Sequence, residues 1–469
     1  MAELKRTLNV TDLTFLFVGM VIGSGIFLTP GAVLVHAGGT IVPAMLAWLA
    51  GGILSLLGAL TYAELSTMKP QAGGFYVFIR DCYGDFLAYM FGWTLFTVVA
   101  TGGVATLAVA FSKYLGQLIS LTPSGEKVAA VGMVTAVGAL NVWGTRKSAN
   151  TTNWSTAIKA SAILVMSVAL LIAGKGWAGS APYLFPKTVN ASLMSGVGVS
   201  MVAVLWAYEG WQYCTFIAGE VIRPARSIPI AFMTGSAILI GLYLLANFGY
   251  LAALGPGQAG QTTSIAAVSV SAVIGPVYGK LVALVILIST FSAANATLLG
   301  CSRVFFAMAD DGLFFKRLAE VHPRFGTPAI SIAACTVWSA ILAISGTFEQ
   351  LFTYVVFIGW IFYGLSAFTL FIYRKRQPGL ARPYRVPGYP WTTILFIVAV
   401  AALVGNNIIA QPVDSAKGLA VVFIGAPIYL IWRGRGKRAL QIEGTSQEAD
   451  SMSEVSAEVG SGKAEATSE

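Results

Sequence analysis

Apolar runs of about twenty residues, separated by short polar stretches, recur from residue 10 to residue 434. A run of that length, wound as a helix, crosses the hydrocarbon of a bilayer. Twelve spans are predicted, over residues 10–36, 41–66, 86–112, 127–143, 153–173, 192–219, 228–253, 276–308, 328–346, 349–373, 390–411 and 416–434. The first is followed by many others and lacks a small-residue cleavage pattern, so it reads as a span and not as a removable signal peptide. Between spans 2 and 3, residues 69–85 are amphipathic with a Pro and a Gly pair, which predicts a short helix lying against the bundle. Residues 309–327 form a second connecting loop. From about Ala439 the chain is rich in Ser, Glu and Ala with few large apolar residues, which predicts a disordered tail.

Two spans break their own pattern. Span 1 carries Gly23-Ser24-Gly25 in mid-run. Each glycine weakens a helix by about 1 kcal/mol relative to alanine, and unwound backbone at membrane depth is tolerated only inside protein or beside a wet cavity. The stretch reads either as a close helix–helix contact built on small residues or as a binding site. Span 6 carries WAYEGW (206–211), a glutamate in mid-membrane flanked by aromatics and followed by glycine. An intramembrane carboxylate faces a polar cavity or the bundle interior. If spans 1–5 and 6–10 are two repeats, spans 1 and 6 correspond. With five spans each, the repeats run oppositely through the membrane. Two interrupted helices in corresponding positions point to a transport site. A third odd residue, Lys159 in span 5, reads as a snorkelling lysine or as a buried cation holding the broken span 1.

Composition sharpens this picture without redirecting it. Of 469 residues 10% are charged, against about 25% in soluble domains. The net charge of +9 needs no nucleic-acid partner, because it is unevenly distributed along the chain. With the N-terminus inside, 21 Lys and Arg fall on the inner side, among them Arg146, Arg223, Arg374 and Arg433, and 6 on the outer side. That bias predicts a multi-pass protein of the cytoplasmic membrane with both termini cytoplasmic. The four cysteines, Cys82, Cys214, Cys301 and Cys335, lack metal spacing and read as buried thiols, and only two histidines are present. No metal, cofactor or catalytic constellation is expected, and no enzyme.

Five motifs, in this order and spacing, carry a resemblance. They are VIGSGIF (21–27), PQAGGFYVFIRDCYG (70–84) with Gly92-Trp93, WAYEGW with Gly219-Glu220 and Arg223-Pro224, NATLLGCSRVFFAMADDG (295–312) and RPYRVPGYP (382–390). The chain resembles the amino acid–polyamine–organocation superfamily over residues 8–435, and within it the L-type amino acid transporter branch with its bacterial serine/threonine exchangers. The resemblance implies an all-α membrane protein with a 5+5 inverted-repeat, LeuT-like core. The cytoplasmic N-terminus is residues 1–9, the repeats 10–173 and 192–373, spans 11 and 12 occupy 390–434, and the tail is 435–469.

The resemblance also implies roles. The substrate carboxylate meets the backbone N–H groups of Ser24 and Gly25, and its ammonium meets carbonyls of Val21, Trp206 and Glu209. The Trp206 ring closes over the substrate. Gln212 and Trp360 lie near the substrate side chain, although a packing role for Trp360 is equally open, and Tyr208 and Trp211 read as packing. Lys159 matches the lysine associated with Na⁺-independent transport, and Ser289 and Ser292 are candidates to share its hydrogen bonds. Human L-type light chains have a cysteine between spans 3 and 4 for a disulfide to a heavy chain. Here that loop is SLTPSGEK, so no disulfide-linked heavy chain is expected. Glu209 stands where many relatives have glycine or aspartate. The expected function is Na⁺-independent exchange of neutral L-amino acids. The alternatives are proton-coupled symport, cationic amino acid transport through Glu209, and an amino acid sensor in the membrane.

Overall fold

The computed structural model describes residues 6–262, 264–346 and 348–431, without the side chains of residues 348, 349 and 352. The end of span 12, the basic cluster from Arg433 to Arg438 and the tail expected at 435–469 lie outside the described residues. The chain divides into a unit through Val422 and a short second unit, described only as far as Ile431 and helical there.

Among the described residues the regular structure of the first unit is all helix, apart from one isolated bridge between Leu8 and Val221. Among the described residues nine helices are long and apolar enough to cross a membrane. The helix Pro123–Val142, the broken span 6 and Ala329–Ser345 complete twelve segments. Local signals set several starts. Asn9 and Asp12 form a reciprocal capping box on span 1, and the Thr122 and Asn190 side chains cap spans 4 and 6. The short helix expected between spans 2 and 3 is Phe75–Tyr83.

Span 1 is two pieces, Val10–Val21 and Gly25–Leu28, the latter continued past Thr29 by Pro30–His36. Span 6 runs Ala191–Ala207, unwinds, and resumes as the turn Tyr213–Phe216. The first half of span 1 packs between spans 5 (Thr145–Ala173), 7 (Pro224–Ala259) and 8 (Pro276–Asp310). Span 5 begins eight residues before the expected 153. Its opening TRKSANTT is too polar to register as an apolar run, but the polar face is buried. Asn141 Nδ2 donates to Asn295 Oδ1 at 2.8 Å, Ser148 Oγ to the same oxygen at 3.2 Å, and Asn295 Nδ2 to Thr152 Oγ1 at 3.0 Å. A fully satisfied network of this kind substitutes for apolar packing. The longer span puts Lys159 fourteen residues from the helix start.

The end of the molecule bearing the N-terminus is tied shut by polar contacts. The Glu220 carbonyl accepts from the N–H groups of Thr7 and Leu8, and Asp12 accepts from Arg146 and Asn153, both at 2.8 Å. Arg303 and Glu220 form a buried pair at 2.9 Å, whose disruption on one side only costs about 3–5 kcal/mol. The RPYR motif acts as a helix terminator. Arg382 donates to the carbonyls of Tyr373, Gln377, Pro378 and Leu380 at the end of span 10. Arg374 grips buried Glu64 of span 2 at 3.0 and 2.7 Å.

The 69–85 loop supports the broken span 6, since Gly73 N–H donates to Phe216 O at 3.1 Å. Lys69 and Tyr373 both donate to Asp81, and Arg80 pairs with Asp311. Burial alone would raise the Asp81 carboxyl, but hydrogen bonds from Lys69 and Tyr373 outweigh it and hold the group below its ordinary value. A carboxylate depressed in the fold stabilises the protein above its unfolded value, and that contribution is lost as pH falls through the folded value. Asp81→Asn is therefore expected to lose about 1 kcal/mol at pH 7 and to show a flatter loss of melting temperature between pH 7 and pH 3 in detergent. A wild-type curve parallel to the variant's throughout would reject this.

Candidate functional site

The two breaks face each other. The last carbonyls of a helix lack intrahelical partners, and at the end of the first half of span 1 those of Gly19, Val21, Ile22 and Gly23 are met by side chains from three other spans. Lys159 Nζ, fully buried, donates to Gly19 O at 2.7 Å and Ile22 O at 2.5 Å. Ser289 Oγ lies 3.0 Å from Ile22 O and 2.9 Å from Gly23 O. Tyr243 Oη of span 7 lies 3.2 Å from Val21 O and 2.9 Å from Ala207 O, so one hydroxyl bridges the ends of both broken helices. A cation at a helix C-terminus is also favoured by the helix dipole. Ser292 is placed elsewhere: it accepts from Ser155 Oγ at 2.6 Å and makes no bond with the Lys159 carbonyls.

Between the breaks lies a cavity of about 20 Å³, room for about one water. Val21, Ser24, Gly25, Trp206 and Glu209 line it, with Gly103 and Leu107 from span 3, Tyr213 from span 6, Thr297 from span 8 and Val355 from span 10. Gln212 and Trp360 do not. Ser24 and Gly25 open the second half of span 1, where a helix leaves its first N–H groups without an intrahelical acceptor. The Ser24 hydroxyl is buried there without a partner.

The Glu209 carboxylate is built in from one side. Its Oε1 accepts from Gln212 Nε2 and, at 2.5 Å, from Tyr363 Oη, while Oε2 is buried with no hydrogen-bond partner. Gln212 also receives Gly210 N–H at 3.1 Å. Gln212 thus positions Glu209 and does not face the cavity. Trp360 packs on Tyr363 and Phe396. The carbonyls expected for an ammonium are partly engaged in this conformation, since Trp206 O accepts from Glu209 N–H at 3.1 Å and Val21 O from Tyr243.

Two glycines let the broken helices touch. Gly210 has φ 123°, and a Cβ there would sit 2.6 Å from Met20 O. A Cβ on Gly25 would sit 2.4 Å from Ala207 Cα. The sequence suggests that a Gly25 side chain would crowd a bound carboxylate; here it would strike span 6.

Sequence reasoning missed Tyr243, Tyr213, Tyr363, Thr297 and the two span 3 residues. Tyr363 follows Trp360 by three positions on one helical face, which was an available signal. Tyr243 sits in an otherwise ordinary apolar span and gave none.

Two interrupted helices enclosing a small cavity, with a buried lysine on the free carbonyls of one of them, within twelve helical segments of which nine among the described residues are long and apolar enough to cross a membrane, define a polytopic α-helical membrane protein. Its relatives agree. A family model described as amino acid permease matches residues 8–432, and the chain belongs to that family. It is 31% identical to the serine/threonine exchanger SteT of Bacillus subtilis over 433 residues, 91% of this chain and 96% of that protein. It is 29% identical to the mouse b(0,+)-type amino acid transporter 1, covering 88% and 84% of the two chains. It is 26% identical to the human large neutral amino acids transporter small subunit 2, covering 92% and 82%.

Proposed function

We propose that this chain exchanges neutral L-amino acids across the cytoplasmic membrane, without Na⁺ and by alternating access, with both termini on the cytoplasmic side. The observation that carries the reading is Lys159 on the Gly19 and Ile22 carbonyls. These carbonyls would otherwise be free to hold a metal ion. A fixed ammonium satisfies them without one, so the broken helix needs no Na⁺ to stand. The likeness to a serine/threonine exchanger supports small neutral substrates.

In this reading the substrate carboxylate sits on the Ser24 and Gly25 N–H groups, the positive end of a half-helix. The ammonium meets the Val21, Trp206 and Glu209 carbonyls once the walls part, and the Trp206 ring closes over both. Residues 10–173 and 192–373 act as the two inverted repeats, with spans 11 and 12 (390–434) outside them. A cavity of about 20 Å³ is too small for an amino acid, so loading requires the broken helices to move. Exchange follows if the empty carrier switches slowly and substrate favours the states differently.

A second reading rests on Glu209 Oε2, a buried carboxylate oxygen without a partner in a residue that lines the cavity. It would serve a cationic substrate or a coupled proton. One experiment separates the readings: labelled uptake into proteoliposomes preloaded with serine, alanine or leucine, with K⁺ replacing Na⁺. Uptake is expected to need internal substrate, to ignore the ion swap and an inward pH gradient, and to be blocked by serine or leucine far better than by lysine or arginine. Equal uptake into empty vesicles rejects exchange, and stimulation by the gradient or strong block by lysine favours the second reading. Binding without accumulation would make the protein a sensor.

A further inference from the structure

Behind the second half of span 1, on spans 5 and 8, is a groove of about 290 Å³. Phe27 forms one of its walls, with Met166 and Ala169 of span 5, Val270 of the helix Ile265–Val273, and Leu281 and Val285 of span 8. No charged side chain lines it, and the hydroxyl of Tyr278 in the first turn of span 8 is its one polar side-chain group. Water does not occupy an apolar space of this kind, and an empty groove forfeits the dispersion contacts of every wall atom.

The groove opens on the side of the spans that faces hydrocarbon, where Val165 is 68% and Leu281 54% exposed. Its volume accommodates about ten methylene-sized groups, each near the roughly 30 Å³ of a liquid water. A single turn of a partner helix, about 10–12 Å across and 5.4 Å tall, occupies roughly 500 Å³ and does not fit. From Tyr278 to Val285 the groove runs about 10 Å along span 8, starting at the membrane surface on the Pro276 side and descending toward mid-depth. That is the path of a lipid tail.

We propose that this groove binds one acyl chain of a phospholipid from the leaflet on the Pro276 side. The tail then lies between spans 5 and 8 against Met166, Ala169, Leu281 and Val285, with Phe27, two residues beyond Gly25, closing the inner end of the groove.

The test is photolabelling of the full chain in vesicles of phosphatidylglycerol and phosphatidylethanolamine. The probe is a phosphatidylcholine carrying a diazirine in mid-chain, with adducts mapped by mass spectrometry. Met166 and Val285 line the groove and are only part-exposed, so a chain seated in the groove reaches them more readily than bulk lipid does. Adducts are expected on Met166 and Val285, several-fold above Ile341 and Ile344, which are exposed on span 9. Ala169→Trp, which fills the groove, should remove the Met166 and Val285 adducts and leave those on span 9. Labelling of Met166 and Val285 no greater than that of span 9, adducts there that survive Ala169→Trp, or cross-links only between two chains would overturn the proposal. The readout needs no substrate, so it stands apart from any failure of the transport reading.

Discussion

Lys159→Ala is expected to slow substrate exchange about a hundredfold. The ammonium makes two hydrogen bonds to carbonyls that have no other donor of its kind. Hydrogen bonds to a charged group are worth about 1.5–3 kcal/mol each, and about 1.4 kcal/mol is tenfold in rate. Ser289 and Tyr243 can hold part of the break but cannot reach Gly19 O, to which neither bonds. Lys159→Met, which keeps the volume and loses the donor, should be equally slow. The check is initial-rate uptake into preloaded vesicles, with the amount of folded protein matched by size-exclusion chromatography. An unchanged rate in either variant would mean that the lysine does not hold the break.

Gly25→Ala is expected to reduce exchange tenfold to a hundredfold, because a single added methyl would meet the Ala207 backbone. The nearest atom is Ala207 Cα at 2.4 Å, ahead of its Cβ at 2.7 Å and N at 3.0 Å. Overpacking of this kind costs about 1–3 kcal/mol. The same geometry decides the second-site test. Removing the Ala207 side chain, in Gly25→Ala with Ala207→Gly, leaves the clash with the backbone of residue 207 in place and should restore little. Transport by Gly25→Ala with normal rate and affinity would show that the broken helices tolerate a wider gap. Full rescue by Ala207→Gly would place the clash on the side chain instead. Loss of activity in Gly25→Val, taken alone, cannot distinguish a crowded ligand from parted helices, so the paired substitution is the informative one.

Much of the architecture was legible along the chain. An apolar run of membrane length can satisfy its backbone only as a helix, so the positions of spans 2, 8, 9 and 11 could be read to within a few residues. The GSG and WAYEGW breaks stood out because glycine and glutamate are costly at that depth. Span 5 was read too short for the converse reason. Its first turns are polar, and burial against Asn141 and Asn295 is a tertiary fact that hydropathy does not carry. The site was legible in part. Lys159 was conspicuous as a charge in an apolar span. Gln212 and Ser292 were not separable from cavity residues, because a one-residue turn of a helix, about 100°, moves a side chain from the cavity to a neighbour.

By itself, the sequence determined the helical class, the twelve segments, their alternation across the membrane and the two places where helix gives way. These are local properties, set by what each stretch of backbone and side chain can satisfy in hydrocarbon. Only the tertiary structure decided what meets the freed groups. It brought Lys159, Ser289 and Tyr243, each more than 130 residues along the chain, onto the carbonyls of Gly19, Val21, Ile22 and Gly23. It turned Gly25 toward Ala207, tied one Glu209 oxygen to Gln212 and Tyr363, and left the other unpartnered. Those outcomes depend on helix rotation and on distances of a few tenths of an ångström between separate spans, which no local pattern of apolar and polar residues encodes.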